Sequence, residues 1–156
     1  MSQFTPTAGV LIRPPLAWAM AILAGFALDW FAPLPFLPED WANGLVGAVV
    51  FAAALALAIW AIDTMTRAGT NVPTNRPTTA MVESGPYRFT RNPMYVSLVA
   101  LYLAVALILN SWWPVLLLPL VVIVIQRTVI AREERYLRER FPVEYPAYCS
   151  RVRRWL

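Results

Sequence analysis

From Gly44 to Ile62 the chain carries no charged side chain and is rich in Ala. A helix of about 20 such residues crosses a hydrocarbon core of roughly 30 Å, so this stretch is read first as a membrane span. Three more apolar stretches accompany it. One runs from about Leu16 to Leu37, interrupted by Asp29 and followed closely by prolines, which predict a kink at its outer end. Another runs from Pro93 to Leu109, and the last from Trp112 to about Ile130 with Pro119 inside. With 59% of the 156 residues apolar and only 14% charged, one soluble core could not hide these side chains. The expectation is an all-α, polytopic membrane helix bundle of about four spans in one domain. Residues 1–66 would hold the first two spans, and residues 67–156 a loop, a helical hairpin and a C-terminal segment.

Orientation follows from the arginines, which supply all thirteen basic residues. Arg13 precedes the first stretch, and Arg67, Arg76, Arg88 and Arg91 lie between the second and third. The remaining eight, from Arg127 to Arg154, lie at the inner end of the fourth and beyond. The connections at Glu39-Asp40 and Asn110-Ser111 have none, so the positive-inside rule places both termini and the central loop in the cytosol. Trp41, Trp60, Trp112 and Trp113 fall where an aromatic belt would stand. A net charge of +4 held next to the membrane suits anionic headgroups and excludes nucleic acid as the expected partner. The absence of His removes the commonest base and metal ligand, and no metal is expected. Cys149 has no partner for an internal disulfide. No cleavable signal is recognised, and the short polar start reads as a cytosolic tail. Compact size and the lack of organelle signals point to a bacterial inner membrane. Gly44, Gly47 and Ala48 would let another helix approach the second span, from within the chain or from a homodimer partner.

Three segments carry possible chemistry. In Ser84-Gly85-Pro86-Tyr87-Arg88-Phe89-Thr90-Arg91-Asn92-Pro93-Met94-Tyr95, Asn92 is a favoured N-cap and Pro93 belongs at the first helical position. Arg88 and Arg91 beside a helix N-terminus make an anion site, or they anchor the interface. In Arg132-Glu133-Glu134-Arg135, the carboxylates either face solvent, with Glu134 and Arg138 paired at i,i+4, or turn inward to hold hydroxyls or an ammonium. Tyr145 and Tyr148, ahead of a basic end, wall a pocket or lie at the headgroups. The loop from Gly69 to Thr79 is long enough to be functional.

Taken in order, these motifs resemble the isoprenylcysteine carboxyl methyltransferase family and its relatives, the phospholipid N-methyltransferases, over about Thr70 to Trp155. The resemblance implies S-adenosylmethionine bound at the cytosolic face. It makes Thr79, Ala80, Met81 and Val82 a backbone lining, Tyr87, Asn92, Pro93, Met94 and Tyr95 the central wall, and Glu133 and Glu134 a polar clamp. Two positions depart from the family. Asn92 stands where the family has His, and an amide cannot shuttle protons at neutral pH. Val129 stands where eukaryotic carboxyl methyltransferases carry a substrate-binding Arg, so recognition of a prenylcysteine carboxylate is not implied; Arg127 and Arg132 are the nearby substitutes.

The expected reaction is methyl transfer to a membrane-accessible acceptor, a lipid amine, carboxylate or thiol, arriving laterally from the bilayer. Tyr87, Tyr95 or Tyr148 would stabilise a sulfonium through its π face, and Arg88 and Arg91 would hold the methionine carboxylate. Glu134 is the nearby base for a protonated amine. Two other readings fit the architecture: a nicotinamide-dependent membrane reductase and a non-catalytic adaptor.

Overall fold

The computed structural model describes residues 14–38, 43–72 and 77–156. Arg13, Glu39-Asp40, Trp41 and Arg76, which bore on the reading of orientation and belt, lie outside the described residues. Among the described residues every regular element is helical. Helices α1 (Pro14–Phe31), α2 (Asn43–Arg67) and α3 (Pro93–Leu109) are followed by α4 (Trp112–Ile125). One π-helical turn, Gln126–Ile130, then carries α4 without a break into α5 (Ala131–Arg140), and α6 (Glu144–Arg151) follows. Stretches Pro14–Phe31, Asn43–Arg67 and Trp112–Arg140 are long and apolar enough to cross a membrane, and Pro93–Leu109 is a shorter apolar helix. The four-span expectation therefore holds.

These helices are apolar around nearly their whole circumference, as lipid requires. Leu23, Phe26, Val46, Val49, Leu116 and Leu120 are all exposed, an arrangement that is stable only against hydrocarbon. The boundaries differ from the sequence reading in instructive ways. Helix α1 ends at Phe31 instead of kinking, because the prolines that follow cannot continue it. Helix α2 extends past Ile62 to Arg67, its last turn held by Arg67 Nε on the Asp63 carboxylate at 2.9 Å. The fourth helix tolerates Pro119 and runs on to Arg140.

Helix α2 packs along α3, and α1 against α4. Gly47 sets the first contact. A Cβ there would stand 2.6 Å from Ile108 Cγ1 and 3.0 Å from the Ala104 carbonyl oxygen, whereas Gly44 has open space. The small-residue signal on α2 thus reports packing within the chain. The buried core joins Trp18, Tyr95, Tyr102, Ile125, Val129 and Ile130, with Trp18 and Tyr102 meeting edge to face at 5.5 Å.

Polar bonds close the Arg-poor end. Asn110 ends α3 in the left-handed conformation (φ 49°), which Asn tolerates. Its side chain exchanges bonds with the Leu37 backbone at 3.0 and 2.8 Å. The buried Ser111 hydroxyl accepts from the Trp113 N–H at 3.2 Å and donates to Asp29 Oδ1 at 2.7 Å. Asp29, an interruption in the sequence, is thereby the pin that ties α1 to the α3–α4 hairpin.

Candidate functional site

At the Arg-rich end a 3-10 turn, Gly85–Arg88, lies against the end of α2. Gly85 adopts φ +58°, and a side chain there would meet Thr64 Oγ1 at 2.6 Å, so only glycine fits both the turn and the approach. The loop before it is drawn across the helices. Thr70 Oγ1 accepts from the Thr79 N–H at 3.0 Å and the Ala80 N–H at 3.4 Å, and Tyr136 Oη accepts from the Thr78 N–H at 3.1 Å. Thr79 and Ala80 are thus fixed by their backbones. Met81 and Val82 go on to line a groove of about 630 Å³ together with Glu83, Ser84, Arg88, Tyr148, Arg151 and Val152. Of the residues singled out from sequence, Met81, Val82, Arg88 and Tyr148 share this groove. Tyr148 is buried and donates to the Tyr87 carbonyl at 2.7 Å, joining α6 to the 3-10 turn. Burial pushes the hydroxyls of Tyr87, Tyr145 and Tyr148 above the ordinary phenol value, so at neutral pH all three are uncharged donors. Tyr145 is almost wholly buried, its ring centre 6.3 Å from that of Tyr148.

The start of α3 and the acidic pair beyond α4 meet. Tyr95, in the first turn of α3, places its hydroxyl 3.0 Å from both carboxylate oxygens of Glu133. Glu133 stands past the apolar stretch that closes with Ile130. Burial pushes its carboxyl up to about 7, against the pull of the Tyr95 hydrogen bond and with the help of the neighbouring Glu134 charge. Pro93 is buried at the opening of α3, and Met94 is half-buried with its carbonyl accepting from Ser97 Oγ at 2.7 Å.

Asn92 precedes Pro93 as expected but does not cap α3 with its side chain. The amide instead donates to the Arg154 carbonyl at 2.9 Å. Glu134 turns inward: Arg154 Nε and Nη2 reach its two oxygens at 2.8 and 2.7 Å, and Arg91 Nη1 lies 3.6 Å away. The i,i+4 pairing with Arg138 is therefore replaced by a long-range one. The Arg91 guanidinium is taken up by Cys149 Sγ at 2.6 Å and by Glu134, and its backbone N–H donates to the Arg153 carbonyl at 2.9 Å. Arg88 is therefore the guanidinium of the expected pair that lines the groove. Arg127 and Arg132 are exposed, on the π-helical turn and the first turn of α5.

Sequence reasoning missed Glu83, Arg151 and Arg154. Arg151 Nη2 pairs with Glu83 Oε2 at 2.7 Å beside the groove. The signal for the two arginines was the basic tail itself, in which nothing local distinguishes an anchoring arginine from a buried one, and Glu83 stood just outside the motif that begins at Ser84. Among the described residues no cluster of His, Cys, Asp and Glu could hold a metal ion.

Two comparisons with known proteins match this sequence. The family model for phospholipid methyltransferase matches residues 42–144, from the start of α2 to the start of α6. An uncharacterized protein of Haemophilus influenzae is 43% identical over 63 residues, which are 40% of this chain and the whole of that protein. No solved structure gives a significant match. With two-thirds of its length matched and four apolar helices in place, the chain belongs to the phospholipid methyltransferase family of integral membrane proteins.

Proposed function

We propose that this protein transfers a methyl group from S-adenosylmethionine to a membrane-accessible acceptor, a lipid amine, carboxylate or thiol, at the cytosolic face of a bacterial inner membrane. The observation that carries the reading is the Tyr95–Glu133 contact. It unites the opening of α3 with the acidic pair, the two regions that the resemblance joins, at the end of the bundle that also carries the groove, although neither residue lines that groove. The groove falls within the roughly 300–1,000 Å³ of small-molecule sites. Its side chains suit the cofactor: Arg88 for a carboxylate, Glu83 for an ammonium or ribose hydroxyls, and Tyr148 and Met81 for flat and apolar parts. The arginine distribution supports the cytosolic orientation.

The bound sulfonium supplies an activated methyl group, so the chain's task is alignment and exclusion of water, worth several kcal/mol for well-oriented reactants. The loop at residues 77–84, fixed through Thr70 and Tyr136, and α6, fixed through Tyr148, hold two walls of the groove in register. A thiolate or carboxylate acceptor needs no base. A protonated amine must lose its proton before its lone pair can bond the methyl carbon. Glu133 is the carboxylate suited to that task, because both oxygens of Glu134 are held by Arg154. Its pKa of about 7 keeps it exchangeable at neutral pH.

Calorimetry with S-adenosylmethionine, on protein kept folded in detergent, tests the cofactor claim. Saturable binding that weakens in Glu133→Ala, Tyr95→Ala and Asn92→Ala is expected. Absence of binding by the folded wild type would refute it.

A further inference from the structure

We infer that residues 152–156 form a strap closing one wall of the cofactor groove, and that Arg154 is the positioning residue that pins it. The inference rests on reading the groove as the cofactor site. The strap has no regular structure and lies back over the opening of α3. Its Arg153 carbonyl takes the Arg91 N–H at 2.9 Å, and its Arg154 carbonyl takes both Thr90 Oγ1 at 3.1 Å and Asn92 Nδ2 at 2.9 Å. The Arg154 side chain plugs inward as a two-pronged contact on Glu134, which is 7% exposed. Trp155 packs against the buried core to which Trp18, Tyr95, Tyr102, Ile125, Val129 and Ile130 belong.

Of the groove-lining residues, Val152 stands two positions before this pin and Arg151 three. Two residues of chain span at most about 7 Å, so a seated Arg154 keeps Val152 within that reach of its own backbone. At its outer edge the Val152 N–H donates to the Tyr148 carbonyl at 3.0 Å, and the exposed Arg151–Glu83 pair adds little. Removing Arg154 leaves a buried carboxylate with Arg91 alone at 3.6 Å, the situation in which a buried ion pair is most costly to break. The Asn at position 92 acquires a role here: its amide donates to the strap, a task that needs no proton transfer.

The test compares the 156-residue wild-type chain, Arg154→Gln, Arg154→Lys and the exposed control Arg135→Gln. It reads the rate at which carboxypeptidase releases the C-terminal residues, the dissociation rate of S-adenosylhomocysteine, and KM and kcat for the cofactor. Arg154→Gln is expected to raise the release rate, the dissociation rate and KM by at least about tenfold, with kcat at saturating cofactor within about twofold. Arg154→Lys, which offers one prong, falls between, and Arg135→Gln matches wild type. Release and dissociation rates unchanged in Arg154→Gln would overturn the inference, as would a fall in kcat with KM preserved. If wild type binds no cofactor, the cofactor reading fails, while the carboxypeptidase rates still decide whether Arg154 holds the strap. Should Arg154→Gln not fold, the double variant Glu134→Gln/Arg154→Met is read by the same measurements. It removes the carboxylate together with its Arg154 partner and leaves Arg91 to the amide oxygen of the new side chain and to Cys149 Sγ.

Discussion

Replacing Tyr95 with Phe removes one oxygen and little else, which makes it the sharpest probe of the Glu133 carboxyl. In the native protein that carboxyl sits at about 7 because burial raises it while the Tyr95 hydroxyl, 3.0 Å from both oxygens, opposes the rise. A hydrogen bond to a charged group contributes about 1.5–3 kcal/mol. At 1.36 kcal/mol per pH unit, its loss should lift the carboxyl by about 1–2 units. The measurement needs no acceptor: a pH titration of the carboxyl infrared band in detergent, with Glu133→Gln identifying the band. In Tyr95→Phe the midpoint should move from about 7 towards 8–9. The sign for stability is also fixed. The folded state holds this proton more tightly than the unfolded chain, whose carboxyl titrates near 4.5. The carboxyl's contribution to folding is therefore complete below 4.5 and declines as pH rises through about 7. Reactivity through the carboxylate runs the opposite way and grows over the same range. A midpoint that stays at the wild-type pH in Tyr95→Phe would show that the hydroxyl does not stabilise the charge, and the reasoning would fail.

Two further outcomes follow from packing. Gly47→Ala forces a methyl to within 2.6 Å of Ile108 Cγ1 and should cost about 1–3 kcal/mol in thermal denaturation, while Gly44→Ala, with open space, should be neutral or slightly stabilising. Equal melting of the two variants would contradict the α2–α3 contact. Ser111→Ala removes both the α4 cap and the donor to Asp29, and should lower stability by about 1–3 kcal/mol. Asp29→Asn, which keeps an oxygen for Ser111, should cost less in the same melts.

The spans were legible because hydropathy is a local property: Pro93 opens α3 and the gap at Asn110-Ser111 separates the hairpin helices, as read from the chain alone. The meeting of Tyr95 with Glu133 was legible through the order of motifs. The tasks of Asn92 and Glu134 were not. A residue before Pro93 is a cap by every local rule, yet its amide is claimed by a carbonyl 62 positions away. Glu134 has an arginine four residues on, but the pairing that wins lies 20 residues on, where burial strengthens it. Asp29 looked like a flaw in a span until Ser111, 82 positions away, gave it a partner.

The π-helical turn at Gln126–Ile130 has a consequence for how such a chain can change. A wide turn of this kind accommodates one residue more than an α-helical turn, and each residue advances an α-helix by about 100°. Deleting one residue there would let the turn close to α-helical width and leave Glu133 and Glu134 facing Tyr95 and Arg154. The same deletion in the regular helix on either side of the turn would swing the pair about a third of a revolution relative to the membrane-embedded half. The turn is thus the one place in the long helix where a residue can be lost without re-aiming the acidic pair, at a depth where hydropathy alone would register no difference.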